Sequence, residues 1–466
     1  MTPKRKHQVS RAIFSFILSL IFVVSFSSAK TISQEMNFSL PKQYDIASEA
    51  TRSEKVMRME QRIEKEFEVY FDREVSKGSQ NGDEIARSLL DIRQKSNIKA
   101  AVVWAIPESE YLHLVLVTPG KMPLVKDIDS IKRNNIIRAV RIFHNEITNP
   151  RNLGTDSYLK QAQRLYDWII KPFEANLEAE EIDTILFCLG KGLRTLPIAA
   201  LHDGNQFLVE KYSLSIIPAF NLIDFTYTPI EKARILAMGA SEFQMQNPLP
   251  AVPVELSTIV DANLMENISI QNLARGWPGE LFLNQDFTLD NLQNQLKSKS
   301  FNIIHLATHA EFRPGKPENS YIQFWDTQLH LDDMKDLSWN NPPAELLVLS
   351  ACQTAVGDQD VELGFAGLAL QAGVQSALAS LWYVSDVGTL ALMSEFYEQL
   401  KTAPTKAETI RQTQIKMIRG DVRLTEERLK ISRGEILLPP GFPTLGDNDF
   451  SHPFYWSGFT LISSPW

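Results

Sequence analysis

Two residues whose types could act together in chemistry stand at the ends of two apolar runs. His309 ends the run that starts at Phe301, and Cys352 ends the run that starts at Glu345. Short continuous apolar runs are typical of strands buried in parallel sheets, and ligands bind at the carboxyl ends of such strands. A histidine beside a cysteine favours the thiolate, which attacks carbonyl carbon, and the imidazole can then protonate the leaving amine. The pattern therefore indicates acyl transfer by a Cys–His dyad, although a cysteine at a strand end is more often a small apolar core residue.

A second histidine, His305, precedes His309 by four residues and shares its face if the strand is regular. With Cys352 nearby, a His–His–Cys zinc site is one alternative. We favour a structural role for His305 and expect neither a metal nor another cofactor. The other cysteine, Cys188, lies in the apolar run 184–189 and is interpreted as a core residue.

Strands and helices alternate along most of the chain and must position these residues. A hairpin is predicted at 100–106 and 111–117, and a helix at 53–76. Further strands are predicted at 184–189, 233–239, 301–308, 345–350 and 374–381, and further helices at 126–147, 156–178, 289–298, 363–372 and 387–400. Residues 421–451, rich in proline, glycine and charge, indicate a surface excursion. This alternation predicts an α/β fold with a mostly parallel sheet in two halves, 84–230 and 231–466, the second of which carries His309 and Cys352.

Composition excludes several classes of protein. The chain has 466 residues, of which 44% are hydrophobic and 22% charged, as in folded globular proteins. Two cysteines cannot staple a disulfide scaffold. The net charge of −9 argues against nucleic-acid binding, which calls for a basic surface. The apolar runs are all too short for a polytopic membrane protein.

The amino terminus has the pattern of a secretory signal peptide. A basic head is followed by a short apolar stretch at 12–26 and by small residues that end at Ala29. We expect residues 1–29 to direct export to the periplasm or beyond, and 30–83 to form a helical or tether segment before a domain at 84–466. Loss of residues 1–29 removes four basic and no acidic residues, so the net charge falls from −9 to −13. The alternative is an uncleaved membrane anchor, and contact with a membrane is expected only in that case.

The amino-acid sequences at the two strand ends resemble the paired motifs of the CHAT family of caspase-like cysteine peptidases, relatives of caspases and separase. These motifs are Ile304-His-Leu-Ala-Thr-His-Ala310 and Leu349-Ser-Ala-Cys-Gln-Thr-Ala-Val-Gly357. The resemblance continues, in order along the chain, at 192–203, 363–373, 380–386, 396–397 and 452–459. It implies a caspase-like three-layer fold, and the family's distribution suggests a bacterial source.

The resemblance also implies roles for individual residues. His309 falls on the family's catalytic histidine and Cys352 on its nucleophile, with the backbone N–H groups of Ala310 and Cys352 as the oxyanion hole. Relatives often have glycine where this chain has Ala310, which matters only if that position needs a positive φ. Asp386 falls on a separase residue that pairs with arginine in the S1 pocket, which implies cleavage after Arg or Lys. The alternative for Asp386 is to cap the helix predicted from 387.

These inferences lead to one expected function and two alternatives. We expect an exported cysteine endopeptidase that acts on a peptide or protein substrate and that needs no cofactor. Because the chain has no repeat array to sense a partner, we expect it either to act constitutively or to be triggered by a separate activator protein. Asp358, Asp360 and Glu362 are secondary candidates for contact with a basic substrate. The alternatives are a catalytically silent CHAT scaffold or binding protein and a cysteine hydrolase or transpeptidase for other acyl groups.

Overall fold

The computed structural model describes residues 49–466, except 77, 228–229, 231–232, 262–275, 338, 340–343, 355–357, 426–427, 433, 440–441 and 443–447. The proposed signal peptide at 1–29 and the stretch from 30 to 48 lie outside the described residues. For residues 351–354, which include Cys352, the backbone alone is described.

The first part of the chain builds one end of a large sheet and the helices beside it. Its elements are α1 (Glu49–Phe71), α2 (Gly82–Ser96), β1 (Ala100–Pro107), β2 (Leu112–Val117), β3 (Leu124–Ile128), α3 (Arg133–Thr148), α4 (Leu159–Ile169), α5 (Glu174–Ala179), β4 (Thr184–Leu189), α6 (Leu208–Lys211) and β5 (Ser213–Ile217). The predicted hairpin forms as β1 and β2, and the predicted strand at 184–189 is β4. The start predicted for the helix at 126–147 is wrong. There the chain adds β3 to the edge of β2, which satisfies its backbone groups, and the helix begins at Arg133.

The second part builds the rest of the sheet and a smaller one. Its elements are β6 (Ile235–Gly239), α7 (Val252–Ile259), β7 (Gly279–Leu283), α8 (Leu289–Ser298), β8 (Ile303–Phe312), β9 (Tyr321–Gln323), β10 (Gln328–His330), β11 (Leu346–Thr354), α9 (Gln359–Ala366), α10 (Leu368–Ala372), β12 (Ser376–Ser380), α11 (Asp386–Gln399), α12 (Lys406–Ile418), β13 (Arg423–Thr425), β14 (Arg428–Ile431), β15 (Gly434–Leu437), β16 (Asn448–Asp449), α13 (Pro453–Trp456) and β17 (Phe459–Ser463). The single helix predicted at 363–372 is two helices that meet at Gly367. A side chain at Gly367 would collide with the ring of Phe71 from α1, so the glycine permits this close approach.

The large sheet contains two sets of parallel strands that run in opposite directions, and the candidate residues lie in one of these sets. Strands β7, β6, β8, β11 and β12 are mutually parallel, and β17, β5, β4 and β1 are parallel to one another. The two sets meet where β12 pairs with β17 in antiparallel fashion. The predicted α/β class with a mostly parallel sheet is therefore confirmed. Both predicted halves contribute strands to the same sheet, and their division near residue 230 stays a prediction.

Residues 421–451 contain a second sheet, with the strand order β15-β14-β13-β16. The sequence predicts only a surface excursion here because each strand is short and alternates charged with apolar residues. That alternation buries one face, including Leu424, Leu429, Ile431 and Ile436, and leaves the other in water.

Within the described residues, no helix is both long and apolar enough to cross a membrane.

Candidate active site

The backbone of the sheet places His309 and Cys352 on neighbouring strands. Strands β8 and β11 are parallel, with His309 in register with Ala351 and Ala310 in register with Cys352. Neighbouring strands lie about 4.8 Å apart, and both positions are near the carboxyl ends of their strands. The structure thus brings together the two positions that the sequence proposes as a dyad.

An irregularity in β8 sets the direction of His309. Leu306 pairs with Leu349, and His309 pairs with Ala351. The two residues in β8 are three positions apart, whereas their partners in β11 are only two positions apart. Such a bulge adds twist and re-aims the side chains that follow it. His305, before the bulge, is fully buried, whereas His309, after it, is partly exposed. The expectation that His305 and His309 share a face requires a regular strand, and β8 is irregular between these two residues.

Three contacts orient the imidazole of His309. Its Nε2 lies 2.8 Å from the carbonyl oxygen of Asn247. Since a carbonyl only accepts, Nε2 is the donor, and in the neutral ring Nδ1 then has the lone pair. The ring packs edge-on against Phe243, with centroids 4.7 Å apart, and lies 6.4 Å from the ring of Tyr383. This arrangement leaves Nδ1 as the atom that can accept a proton from a thiol.

Ala310 has a backbone that an alanine adopts without strain. It lies within β8, is buried, and is not among the described residues with positive φ. It pairs on one side with Cys352 and on the other with Ile322 of β9. The methyl group in place of a glycine hydrogen therefore imposes no backbone penalty at this position.

Asp386 is the first residue of α11 but does not cap it. The N-cap is Ser385, whose hydroxyl oxygen accepts the N–H of Gly388 at 3.2 Å, so the capping alternative is wrong. Asp386 Oδ2 instead accepts the N–H of Ala251 at 2.6 Å, just before α7. Burial raises the pKa of Asp386 to about 7, partly offset by the Ala251 N–H and reinforced by the carboxylate of Glu255. The side chain therefore joins α11 to the segment before α7.

That segment, 241–251, links the two candidate side chains. Its Asn247 carbonyl holds His309, and its Ala251 N–H holds Asp386. Its start is fixed by Asn284, whose Oδ1 accepts the N–H of Ser241 at 2.8 Å. Sequence reasoning missed this segment because its contacts to the two candidates use backbone groups, which every residue type except proline provides in full.

The secondary acidic candidates have partners within the fold. Asp358 caps α9 by accepting the N–H of Asp360 at 2.9 Å, and Asp360 accepts the N–H of Gly315 at 3.2 Å. Glu362 is buried, accepts the N–H of Gly192 at 2.7 Å, and has a pKa raised by burial to about 7. Glu362 is therefore a structural group.

His305 belongs to a buried network beneath the site. Its Nε2 lies 2.9 Å from Oε1 of Glu255, and its Nδ1 lies 3.0 Å from the hydroxyl of Tyr397. Because both ring nitrogens have protein partners, the geometry argues against the zinc alternative. The network ties β8 to α7 and α11.

Cys188 is fully buried in β4, and its thiol donates to the carbonyl oxygen of Pro218 at 3.5 Å. Burial raises the pKa of this thiol well above its usual range, so it is unsuited to nucleophilic chemistry.

The mostly parallel sheet places a histidine and a cysteine near the carboxyl ends of adjacent central strands, which defines an α/β protein with a candidate Cys–His site. The chain belongs to the CHAT domain family, because the sequence profile of that family matches residues 159–464, more than half of its length. The resemblance noted in the sequence is thereby confirmed.

Among solved structures, the chain is similar to two crystal structures of the Saccharomyces cerevisiae separase–securin complex, at 2.6 and 3.0 Å resolution. The TM-scores are 0.46 and 0.45, and both comparisons show 10% sequence identity over 82% of this chain and 31% of the other. This chain thus spans less than a third of the length of the chain it resembles. A comparison with curated proteins found no match.

Proposed function

We propose that this protein is an exported cysteine endopeptidase that cleaves peptide bonds after arginine or lysine. The observation that carries the proposal is the side-by-side register of His309 and Cys352, combined with the Asn247 contact that favours the tautomer of the neutral His309 ring with its proton on Nε2. Membership of the CHAT family supports the same class of chemistry. Export depends on the signal-peptide pattern at 1–29 and implies a periplasmic or extracellular site of action.

The reaction would proceed through an acyl-enzyme. His309 Nδ1 takes the proton of the Cys352 thiol, and the thiolate attacks the peptide carbonyl carbon. Backbone N–H groups of Ala310 and Cys352 would stabilise the oxyanion. Collapse breaks the C–N bond, and the leaving amine takes the proton from Nδ1. Water then attacks the thioester with His309 as the base, which releases the acid and restores the thiol.

Arginine preference would come from the carboxyl group of Asp386. Its Oδ2 bonds to Ala251, which leaves Oδ1 for a guanidinium or ammonium group. Tyr383, three residues earlier, is 41% exposed and lies against His309, so its ring would flank the side chain of the substrate.

The test compares the purified full-length chain with its Cys352→Ala variant on a mixed peptide library in reducing buffer. Cleavage sites are read by mass spectrometry. Cuts after arginine or lysine that vanish in the variant would support the peptidase and the role of Asp386. Cuts after other residues would retain the peptidase and discard Asp386 as the specificity residue. No cleavage, with or without candidate activator proteins, would favour a silent scaffold or binding protein.

A further inference from the structure

An open groove of about 860 Å³ lies beside the site, on the β9 side of β8. Its walls come from the segment after β6, from the end of β8 and from the turn between β9 and β10. The residues that matter here are Glu242, Phe243, Met245, Glu311, Trp325 and Asp326. Pockets of about 300–1,000 Å³ hold ligands of drug size, so the groove has room for a short peptide segment.

The groove is continuous with the environment of His309. Phe243 both lines the groove and packs against the His309 ring. Glu311 follows His309 by two residues in β8, so both side chains point to the same face, about 6.6 Å apart along the strand. In the sheet order β9-β8-β11-β12, the groove lies on one side of the β8–β11 pair and Asp386, which follows β12, on the other. A peptide that places arginine at Asp386 and its scissile bond at His309 would therefore continue into the groove.

The rim of the groove combines exposed apolar side chains with free carboxylates. Met245 is 95% exposed and Trp325 is 37% exposed, which is unusual for side chains of this size. Glu242 and Asp326 are also exposed, and neither makes a hydrogen bond or ion pair in the described part of the chain. The rim therefore has unpartnered apolar surface and unpartnered negative charge next to each other.

The basic residue of the lining, Arg313, does not neutralise these carboxylates. Its Nε donates to Glu311 Oε2 at 2.7 Å, and its guanidinium lies 4.9 Å from the centroid of the Tyr321 ring. Tyr321 also donates to the other oxygen of Glu311, at 3.0 Å. With Arg313 and Glu311 paired, the groove keeps a net negative charge.

We propose that the groove binds the part of the substrate that follows the scissile bond, and that it selects a segment with lysine or arginine beside an apolar residue. Such cations have aliphatic stems that can lie on Met245 and Trp325 while the charge meets Asp326 or Glu242. The inference rests on the proposed function, since that function defines which part of the peptide reaches the groove.

The first test measures binding without catalysis. The full-length Cys352→Ala protein is titrated into a fluorescein-labelled octapeptide with two lysines and two leucines, or the same peptide with glutamates for the lysines, at low salt. We expect the lysine peptide to bind about tenfold more tightly, and Trp325→Ala or Asp326→Asn to weaken it about threefold to fivefold. Asp290→Asn, an exposed carboxylate on α8, is the matched control and should change nothing. Equal affinity for the two peptides, or affinity indifferent to both groove variants, would overturn the inference.

The second test separates the groove from the peptidase itself. One substrate carries Lys-Leu after the scissile arginine bond, and the other is an arginine coumarylamide with no residues beyond that bond. Trp325→Ala should lower the ratio of kcat/KM between the long and the short substrate about threefold to fivefold, whereas Asp290→Asn should leave the ratio unchanged. A ratio unaffected by Trp325→Ala would refute the groove as a substrate site while the peptidase stands. Binding of the lysine peptide with no cleavage of either substrate would refute the peptidase and keep the groove as a site for basic peptides.

Discussion

Ionisation of Asp386 should make the proposed preference for arginine depend on pH. Burial raises the pKa of this carboxyl from an ordinary 3.8 to about 7, so the free protein holds it neutral in mild acid. A neutral carboxyl loses the charge-assisted part of its attraction for a guanidinium. A hydrogen bond to a charged group contributes about 1.5–3 kcal/mol, which corresponds to roughly tenfold to a hundredfold in kcat/KM. The preference should therefore rise by about that factor as the pH rises through 7.

A matched pair of substrates isolates this effect. Citrulline has the shape of arginine without its charge, so the ratio of kcat/KM for otherwise identical Arg and citrulline peptides cancels the titration of His309 and Cys352. Measured from pH 5 to 9, this ratio should climb in the wild type and stay low and flat in Asp386→Asn. The amide oxygen of that variant can still accept the Ala251 N–H, so segment 241–251 should keep its place.

Two results would refute the reasoning about Asp386. A flat ratio in the wild type would mean that Asp386 does not meet the arginine. An equal loss of kcat/KM for both peptides in Asp386→Asn would mean that the residue acts through segment 241–251 on the orientation of His309. The second result would make Asp386 a positioning residue.

Two buried networks lead to predictions about stability. Trp104 donates its Nε1–H to Glu60 Oε1 at 2.6 Å, so Trp104→Phe should cost about 1–3 kcal/mol in urea unfolding. The pKa of Glu60, raised by burial to about 7, should rise further in that variant, so the loss should be larger above pH 7 than below it. Tyr397→Phe removes one hydrogen bond to His305 and should cost about 1 kcal/mol. Glu255→Leu leaves His305 Nε2 without its buried acceptor and should cost about 3–5 kcal/mol. Similar losses of stability for Tyr397→Phe and Glu255→Leu would contradict this network.

The sequence predicts the fold class and the placement of His309 and Cys352 well, for physical reasons. Strands β4 and β8, and the part of β11 from Leu346 to Ser350, have buried side chains on both faces, so each is a mainly apolar run that stands out from its surroundings. Two such runs that end in chemically useful side chains must end at the same edge of a parallel sheet if they pair. The observed register of β8 and β11 is the result.

The geometry around those residues depends on contacts that leave no trace in composition. The bulge before His309 is a matter of register between two strands and not of residue type. Asn247 and Ala251 act through a backbone carbonyl and a backbone N–H. Likewise β3 and β17 form because neighbouring strands offer unpaired backbone groups, which outweighs the weak local pattern of five-residue segments.

Arg194 offers a test of how helix α1 is joined to the site. Its guanidinium is 1% exposed, contacts the carboxylate of Glu66 in α1 and lies over the ring of Phe67. Its charge also opposes the rise that burial causes in the pKa of Glu362 in α9, the helix after the Cys352 strand. One buried cation thus joins α1 to the element that follows the proposed nucleophile. Helix α1, which lies within the predicted helical or tether segment 30–83, is therefore joined to the rest of the fold by this contact.

Arg194→Met should keep most of the volume while it removes the charge, at a cost of about 3–5 kcal/mol in urea unfolding. A carboxyl whose pKa is raised in the folded state stabilises that state when the pH is below its unfolded pKa. This contribution is lost as the pH rises through the folded pKa. Without Arg194 the pKa of Glu362 rises above 7, so the variant should lose more stability at pH 8.5 than at pH 6. Arg58→Met, at an exposed position of α1, is the matched control and should cost little at either pH. Equal losses at the two pH values for Arg194→Met would show that Glu362 does not depend on this cation, and the proposed link from α1 to α9 would then rest on apolar packing alone.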